Sequence, residues 1–369
     1  MRTVSSIRKT RPLNAIVTVA LLCSLLAASA VLATALNSFP GPLFDVEIGP
    51  DGELILADAS MGIVTLGDDD DDDDRQSVEL PVVTAISPVD DDLIWAVTGG
   101  IDAQNDSGQG LHRVADGMTV KLVNLFDFEV ASNPDGNDPP DSNPFDVQAL
   151  PGNTALVADA GGNDLLWIDT DGNVSVVAVF PDEPVSTANM KTLFGCPDSG
   201  HPLCGAPDFM PAQAVPTSVV LGPDEHFYVG ELKGFPAPTN ESNIWRISPA
   251  ASWADCGSSP DCEKVFDGGF TSIIDLAFSN DGTLYVAEMD ENGWLAAEGV
   301  GQPAGGTINA CNIDTATCEV IATGIPMLTA VAVESDDDDG DDVTIWATRN
   351  ALIPDAAEVF QVGAADDDD

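Results

Sequence analysis

The sequence predicts an all-β fold, a six-bladed β-propeller with four antiparallel strands per blade and a ring closed by its N-terminal strand. Three observations carry the prediction. One double-strand unit recurs six times, 33 Gly and 26 Pro punctuate the chain as turns, and no helical periodicity runs through it. A β-sandwich would not need the same motif six times.

The unit is an apolar strand, a Pro/Asp/Gly turn, and a second apolar strand ending in a small residue. The first copy is Phe44-Asp45-Val46-Glu47-Ile48, a turn at Gly49-Pro50-Asp51-Gly52, then Leu54-Ile55-Leu56-Ala57-Asp58. The second, looser, spans Val83 to Val97. The third is Phe145-Asp146-Val147-Gln148-Ala149-Leu150 followed by Leu156-Val157-Ala158-Asp159. The fourth is Thr217-Ser218-Val219-Val220-Leu221 with Tyr228-Val229-Gly230-Glu231, and the fifth Ile274-Asp275-Leu276-Ala277-Phe278 with Leu284-Tyr285-Val286-Ala287-Glu288. The sixth, again looser, spans Thr329 to Thr348. Two further strand-like runs follow each copy, such as Leu165 to Asp169 and Val174 to Phe180, giving four strands per unit. The sixth unit lacks a fourth strand, and Leu36 to Phe39 stand where it belongs. The N-terminal segment is therefore expected to close the ring and remove an exposed edge.

Residues 1–35 read as a secretory signal peptide. Arg2, Arg8, Lys9 and Arg11 precede an apolar run from Ala15 to Leu32, with small-residue cleavage patterns at Ala28-Ser29-Ala30 and Ala33-Thr34-Ala35. An uncleaved anchor is the alternative, and cleavage after Ala35 would leave the closing strand short. Six cysteines beyond Cys23 form three close pairs, Cys196 with Cys204, Cys256 with Cys262 and Cys311 with Cys318. That spacing favours nearest-neighbour disulfides in an oxidising, extracytoplasmic compartment (secreted, periplasmic or cell surface). The net charge of −50, from 62 acidic against 12 basic residues, excludes nucleic-acid binding. A monomer is expected, with no stable membrane insertion once the leader is removed.

Two stretches resemble the ScyD/ScyE family, named from scytonemin biosynthesis clusters. They are Pro144-Phe145-Asp146-Val147 through Ala158-Asp159-Ala160-Gly161-Gly162-Asn163-Asp164-Leu165-Leu166, and Val215-Pro216-Thr217 through Glu231-Leu232-Lys233-Gly234-Phe235-Pro236, with Asn243-Ile244-Trp245-Arg246. The resemblance implies a propeller related to NHL and gluconolactonase-type (SMP-30) propellers, without implying a reaction. The poly-Asp runs depart from that pattern.

Candidate chemistry sits where long loops meet the propeller axis. Asp127 to Asn143, Pro181 to Val215, Leu232 to Ser242 and Met289 to Gly305 fall on one face, around an axial mouth suited to a small molecule or a protein partner. Asp45, Asp146 and Asp275 take equivalent positions at the start of the inner strand in units one, three and five. Converging carboxylates repel, so they are candidate Ca²⁺ ligands. The gluconolactonase-type resemblance implies a catalytic metal on this axis, although the Glu/Asn/Asn/Asp ligand set of those propellers is not clearly reproduced. Glu231, Glu288, Phe235 and Trp294 are candidate ligand contacts, whereas Asp58 and Asp159 read as turn caps. Trp95, Trp167, Trp245 and Trp346 lie in strands and read as core. His112, His201 and His226 are scattered, and no G-x-S-x-G, H-E-x-x-H or phosphate-binding loop occurs.

The opposite face is expected to gather acid. Asp68 to Asp74, Asp90 to Asp92, Asp336 to Asp342 (interrupted by Gly340) and the tail 363–369 fall in adjacent units once the ring closes. They read as solvated loops, or as weak multivalent Ca²⁺ or Mg²⁺ binders. Three functions follow: a binding or accessory propeller, a Ca²⁺-dependent hydrolase of the lactonase type, or a structural cell-surface module with a cation-binding acidic face.

Overall fold

A computed structural model describes residues 35–67, 75–335 and 343–363 of the chain. The leader, the acidic runs 68–74 and 336–342, and nearly all of the acidic tail lie outside the described residues; Asp90 to Asp92 lie within them.

Six four-strand antiparallel units form the predicted propeller. Blade 1 comprises Leu43–Ile48, Leu54–Asp58, Gly62–Thr65 and Gln76–Val78. Blade 2 comprises Val83–Asp90, Leu93–Thr98, Gly110–Ala115 and Met118–Asn124. Blade 3 comprises Pro144–Leu150, Thr154–Asp159, Asp164–Ile168 and Val174–Val179, and Ala254–Asp255 adds a short parallel strand at its edge. Blade 4 comprises Pro216–Leu221, Phe227–Glu231, Ser242–Ile247 and Cys262–Phe270. Blade 5 comprises Ile273–Phe278, Leu284–Glu288, Gly306–Asn312 and Thr317–Ile325. Blade 6 comprises Val331–Ser335, Val343–Arg349 and Ala357–Gln361, and its outer strand is Ala35–Phe39. Ala35 pairs with Phe360 and Leu36 with Val359, so the N-terminal strand closes the ring as expected.

Hydrophobic burial is organised between blades. Six apolar clusters sit at the six junctions, for example Leu156, Ala158, Val219 and Trp245 between blades 3 and 4, and Phe39, Val46, Leu56 and Val359 between blades 6 and 1. Each blade thus lacks a private core and folds only against its neighbours, the logic of a repeat architecture. This explains the small residue ending each second strand. At Gly230 a Cβ would come within 2.6 Å of Ile273 in the next inner strand, so even alanine would push blades 4 and 5 apart.

The inner strands share a further device. In blades 1 to 5 the pairing with the second strand slips by one residue, at Phe44, Thr84, Phe145, Thr217 and Ile274. Such a bulge re-aims the side chains beside it and frees backbone groups from the ladder.

All three cysteine pairs are disulfide-bonded as expected, Cys196–Cys204, Cys256–Cys262 and Cys311–Cys318. Three such bonds fit an oxidising, extracytoplasmic setting. The loop face carries short helical pieces within this all-β fold. Leu125–Ser132 is an α-helix capped by Asn124, whose side chain accepts from Asp127 N. Ala188–Leu193 is a second, shorter helix, and Leu295–Val300 forms a π-helical turn. These pieces are too short for periodicity to stand out from loop sequence.

Candidate functional site

The bulges place Asp45, Asp146 and Asp275 at the axis and direct them between blades. Each carboxylate accepts the N–H of the residue after it, Val46, Val147 or Leu276, at 2.7–2.8 Å. Its second oxygen crosses to the inner strand of the next blade. Asp45 takes Ile86 N at 2.9 Å, Asp146 takes Val219 N at 2.6 Å, and Asp275 takes Val331 N at 2.8 Å. Junctions 1–2, 3–4 and 5–6 are thereby fastened.

The other three junctions use threonine. Thr84 Oγ1 donates to Pro144 O at 2.8 Å, Thr217 Oγ1 to Ile273 O at 2.7 Å, and Thr329 Oγ1 to Leu43 O at 2.7 Å. Odd blades therefore carry apolar-Asp and even blades carry Thr-small: Phe44-Asp45, Phe145-Asp146 and Ile274-Asp275 against Thr84-Ala85, Thr217-Ser218 and Thr329-Ala330. The ring is a threefold repeat of blade pairs. The three aspartates are legible in the sequence, but their threonine counterparts become meaningful only when the ring is closed.

Electrostatics at the axis are unfavourable to ionisation. Burial raises Asp45 to about 6, and burial together with Asp45 raises Asp146 well above the usual carboxylate range. Asp275 is raised by burial and by both other aspartates. Glu47, which sequence reasoning did not single out, joins them and is raised by burial and then by Asp45, Asp275 and Asp146. Among the described residues, no three Asp, Glu, His or Cys side chains converge in a metal-holding arrangement. In this geometry Asp45, Asp146 and Asp275 each fasten one blade to the next through a backbone N–H.

The acidic residues ending the second strands are likewise turned inward. Asp58 accepts from Gly41 N, Ser60 N and Met61 N, and Asp159 from Ser142 Oγ and the N–H groups of Asn143, Gly161 and Gly162. Both cap turns, as expected, and both tie down the segment leading into their own blade.

Of the candidate ligand contacts, Glu231 is fully buried. It accepts from Trp245 Nε1 and Asn243 Nδ2 and pairs with Lys233, itself 0% exposed, at 2.7 Å. Lys233 also holds Glu183 at 2.7 Å, and Lys264 meets the same carboxylate at 2.6 Å. Burial opposes ionisation of Glu183, but the two lysines outweigh it and bring the group down to about 2. Glu288 accepts from Thr271 N and Asn309 Nδ2. These two glutamates thus have internal partners. Trp294 is half-buried and donates Nε1 to Lys233 O at 2.9 Å. Phe235, 41% exposed, is the freely accessible member of the set.

The long loops pack on one another rather than standing separately. Met190 and Leu193 from the 180–215 connection meet Ala237 from the 232–241 loop and Leu295 and Ala296 from the 289–305 loop in a small apolar cluster. Asn189 Nδ2 binds Ala237 O and Asn292 O at 2.7 and 2.9 Å, and Gln302 Nε2 reaches Leu193 O at 3.3 Å. A two-stranded hairpin, Glu183–Ser186 with Phe209–Ala212, completes this cap over blades 4 and 5.

The histidines remain apart. His112 lies in blade 2 beside Thr98 Oγ1, and burial, then Lys121, lowers it to about 4. His201 stacks on Phe194 at 4.2 Å, and His226 sits in a turn beside Arg246. Trp95 and Trp245 are buried between blades as expected, while Trp167 lines a largely apolar cavity of about 620 Å³ with Leu150, Leu221 and Phe227 on the opposite face.

No family model matches the chain, and no curated protein matches it. Solved structures do. A protein described as an oxidoreductase (glucose dehydrogenase) from Thermus thermophilus superposes with a TM-score of 0.50 at 12% identity, over 89% of this chain and 98% of that one. A gluconolactonase from Xanthomonas campestris gives 0.49 at 11% identity, over 89% and 88%. A virginiamycin B lyase from Staphylococcus aureus gives 0.47 at 14% identity, again over 89% and 88%. At these identities the likeness is one of fold alone.

Proposed function

We propose that this chain is an exported, ScyD/ScyE-like propeller that acts as a binding or accessory protein, holding a small molecule or protein partner at its axial mouth. The loop cap borders the recognition surface, with Phe235 as the exposed contact and Trp294 holding the loop beneath it. The observation behind this reading is the engagement of Asp45, Asp146 and Asp275. Each has one oxygen on the N–H of the residue after it and the other on a backbone N–H across a blade junction, an arrangement that favours a structural role over holding a lactonase-type Ca²⁺ that polarises a carbonyl.

Metal analysis of the purified protein, with a lactone and ester hydrolysis screen run with and without chelator, tests this directly. No chelator-sensitive turnover is expected. A chelator-sensitive activity abolished by Asp146→Asn would replace the binding reading with the hydrolase one. A thermal-shift screen of small molecules supplies the positive arm: a compound that raises the melting temperature should lose its effect in Phe235→Ala.

A further inference from the structure

A second group of buried acids lies away from the axis, where the connection from blade 2 to blade 3 packs on blade 3. Glu129, on the inner side of the helix Leu125–Ser132, is 1% exposed, and Asp164, opening the third strand of blade 3, is 0% exposed. The Glu129 carboxyl packs beside Gly162, two residues before Asp164, and burial, then Glu129, opposes the ionisation of Asp164. No donor among the described residues reaches Glu129 Oε1 or either oxygen of Asp164. Two more oxygens in the same connection, Asn133 Oδ1 and Asp141 Oδ1, are buried and equally without a donor.

The surroundings deepen the deficit. Asp135 and Asp159 act on both carboxyls with the same sign, and no salt bridge among the described residues reaches any of the five acids. Asp159 is satisfied by its turn, and Asp135 by Asn137 and Asn163. Glu129 and Asp164 have no such compensation. A buried carboxylate without a donor or counter-charge is strongly disfavoured, so the pair must share protons or meet a cation. Gly162 leaves room for the Glu129 carboxyl, since a Cβ there would lie 3.0–3.2 Å from its atoms. Asp135 and Asn163, the residue before Asp164, line a polar cavity of about 470 Å³.

We propose that Glu129 and Asp164 form a Ca²⁺ site between the helix 125–132 and blade 3, supplying its two carboxylates, with amide and backbone carbonyl oxygens and water completing the shell. A hard cation takes six to eight oxygens, including amide and backbone carbonyls. Two carboxylates suffice within such a shell, which is compatible with the absence of any three-acid convergence among the described residues. The bound ion would pin the helix 125–132 and its loop to blade 3, fixing one wall of the loop-bearing face.

The test is calorimetric titration of the chelator-stripped full chain with CaCl₂, beside thermal melts. The comparison variants are Glu129→Gln, Asp164→Asn, and a chain in which every Asp of 68–74 and 336–342 is replaced by Asn. One Ca²⁺ per chain is expected, with a melting temperature raised by several degrees. Glu129→Gln and Asp164→Asn should each weaken affinity at least tenfold, while the chain without its acidic runs keeps the site. The proposal is overturned if the wild type shows no stoichiometric site. It is equally overturned if the site disappears with the acidic runs, or survives Glu129→Gln at unchanged affinity. Should Asp164→Asn fail to fold, the wild type, Glu129→Gln and the chain without its acidic runs decide the matter.

Discussion

Replacing Asp146 with alanine removes the fastener between blades 3 and 4 and leaves two backbone N–H groups, Val147 and Val219, without their acceptor. Leaving a buried donor unsatisfied costs about 1–3 kcal/mol, so the gross loss for the two N–H groups is ~2–6 kcal/mol. Part of it is offset, because the substitution also relieves the repulsion that Asp146 shares with Asp45 and Glu47. A net destabilisation of about 2–4 kcal/mol follows. A propeller of this size has an unfolding entropy of about 0.7 kcal/mol/K, which converts that loss to a fall of ~3–6 °C in melting temperature. Asn keeps one acceptor, so Asp146→Asn should lose about half as much. Its deficit should also depend on pH. The raised pKa of Asp146 means its contribution is complete at low pH and declines as pH rises, so the wild-type advantage over Asn should be larger at pH 5 than at pH 8. Thermal melts at both pH values read all of this. If Asp146→Ala melts within 1 °C of the wild type, on the order of the smallest shift expected for any buried bond, the carboxylate is not a fastener.

The remaining predictions concern charge and closure. With chelator present, stability should fall from about pH 5 to pH 9. Asp45, raised to about 6, and Glu129, raised to about 9, make the native state bind more protons than the unfolded chain across that window. Each extra proton is worth about 1.4 kcal/mol per pH unit, and a melting temperature that rises from pH 5 to 8 would refute the assignment. Glu183, held down to about 2, acts oppositely, and its contribution should be lost as pH falls below about 4.5. Lys233→Met should cost ~3–5 kcal/mol by stranding Glu231 in the interior, measurable by denaturant unfolding. Phe39→Ala empties a fully buried site in the ring-closing strand and should cost about 3–5 kcal/mol. Light scattering should then detect oligomers as the edge strand of blade 6 comes free.

Architecture was legible because propeller blades are written locally. An alternating strand, a Pro-Asp-Gly turn and a small terminal residue recur within about 15 residues, and six repetitions leave little alternative. The missing fourth strand of blade 6 even marked where the chain closes. Cysteine pairing was equally local, since each partner lies six to eight residues from the other. The short helices escaped notice because they span only about two turns or fewer.

The roles of the acids were another matter. The spacing of Asp45, Asp146 and Asp275 was plain in the sequence, yet the same spacing fits a metal shell or three inter-blade fasteners. Val219 N lies 73 residues from Asp146, and Thr329 reaches Leu43 across 286 residues, so the fastening partners appear only when the ring is assembled. Glu129 and Asp164 carried no signal for the same reason, being ordinary residues in chain order and neighbours in one buried pocket in space. The sequence by itself determined the blades, their number and the closure, because strand alternation and turns are short-range. Only the tertiary structure decided which carboxylates are satisfied, because that depends on donors brought together from distant blades.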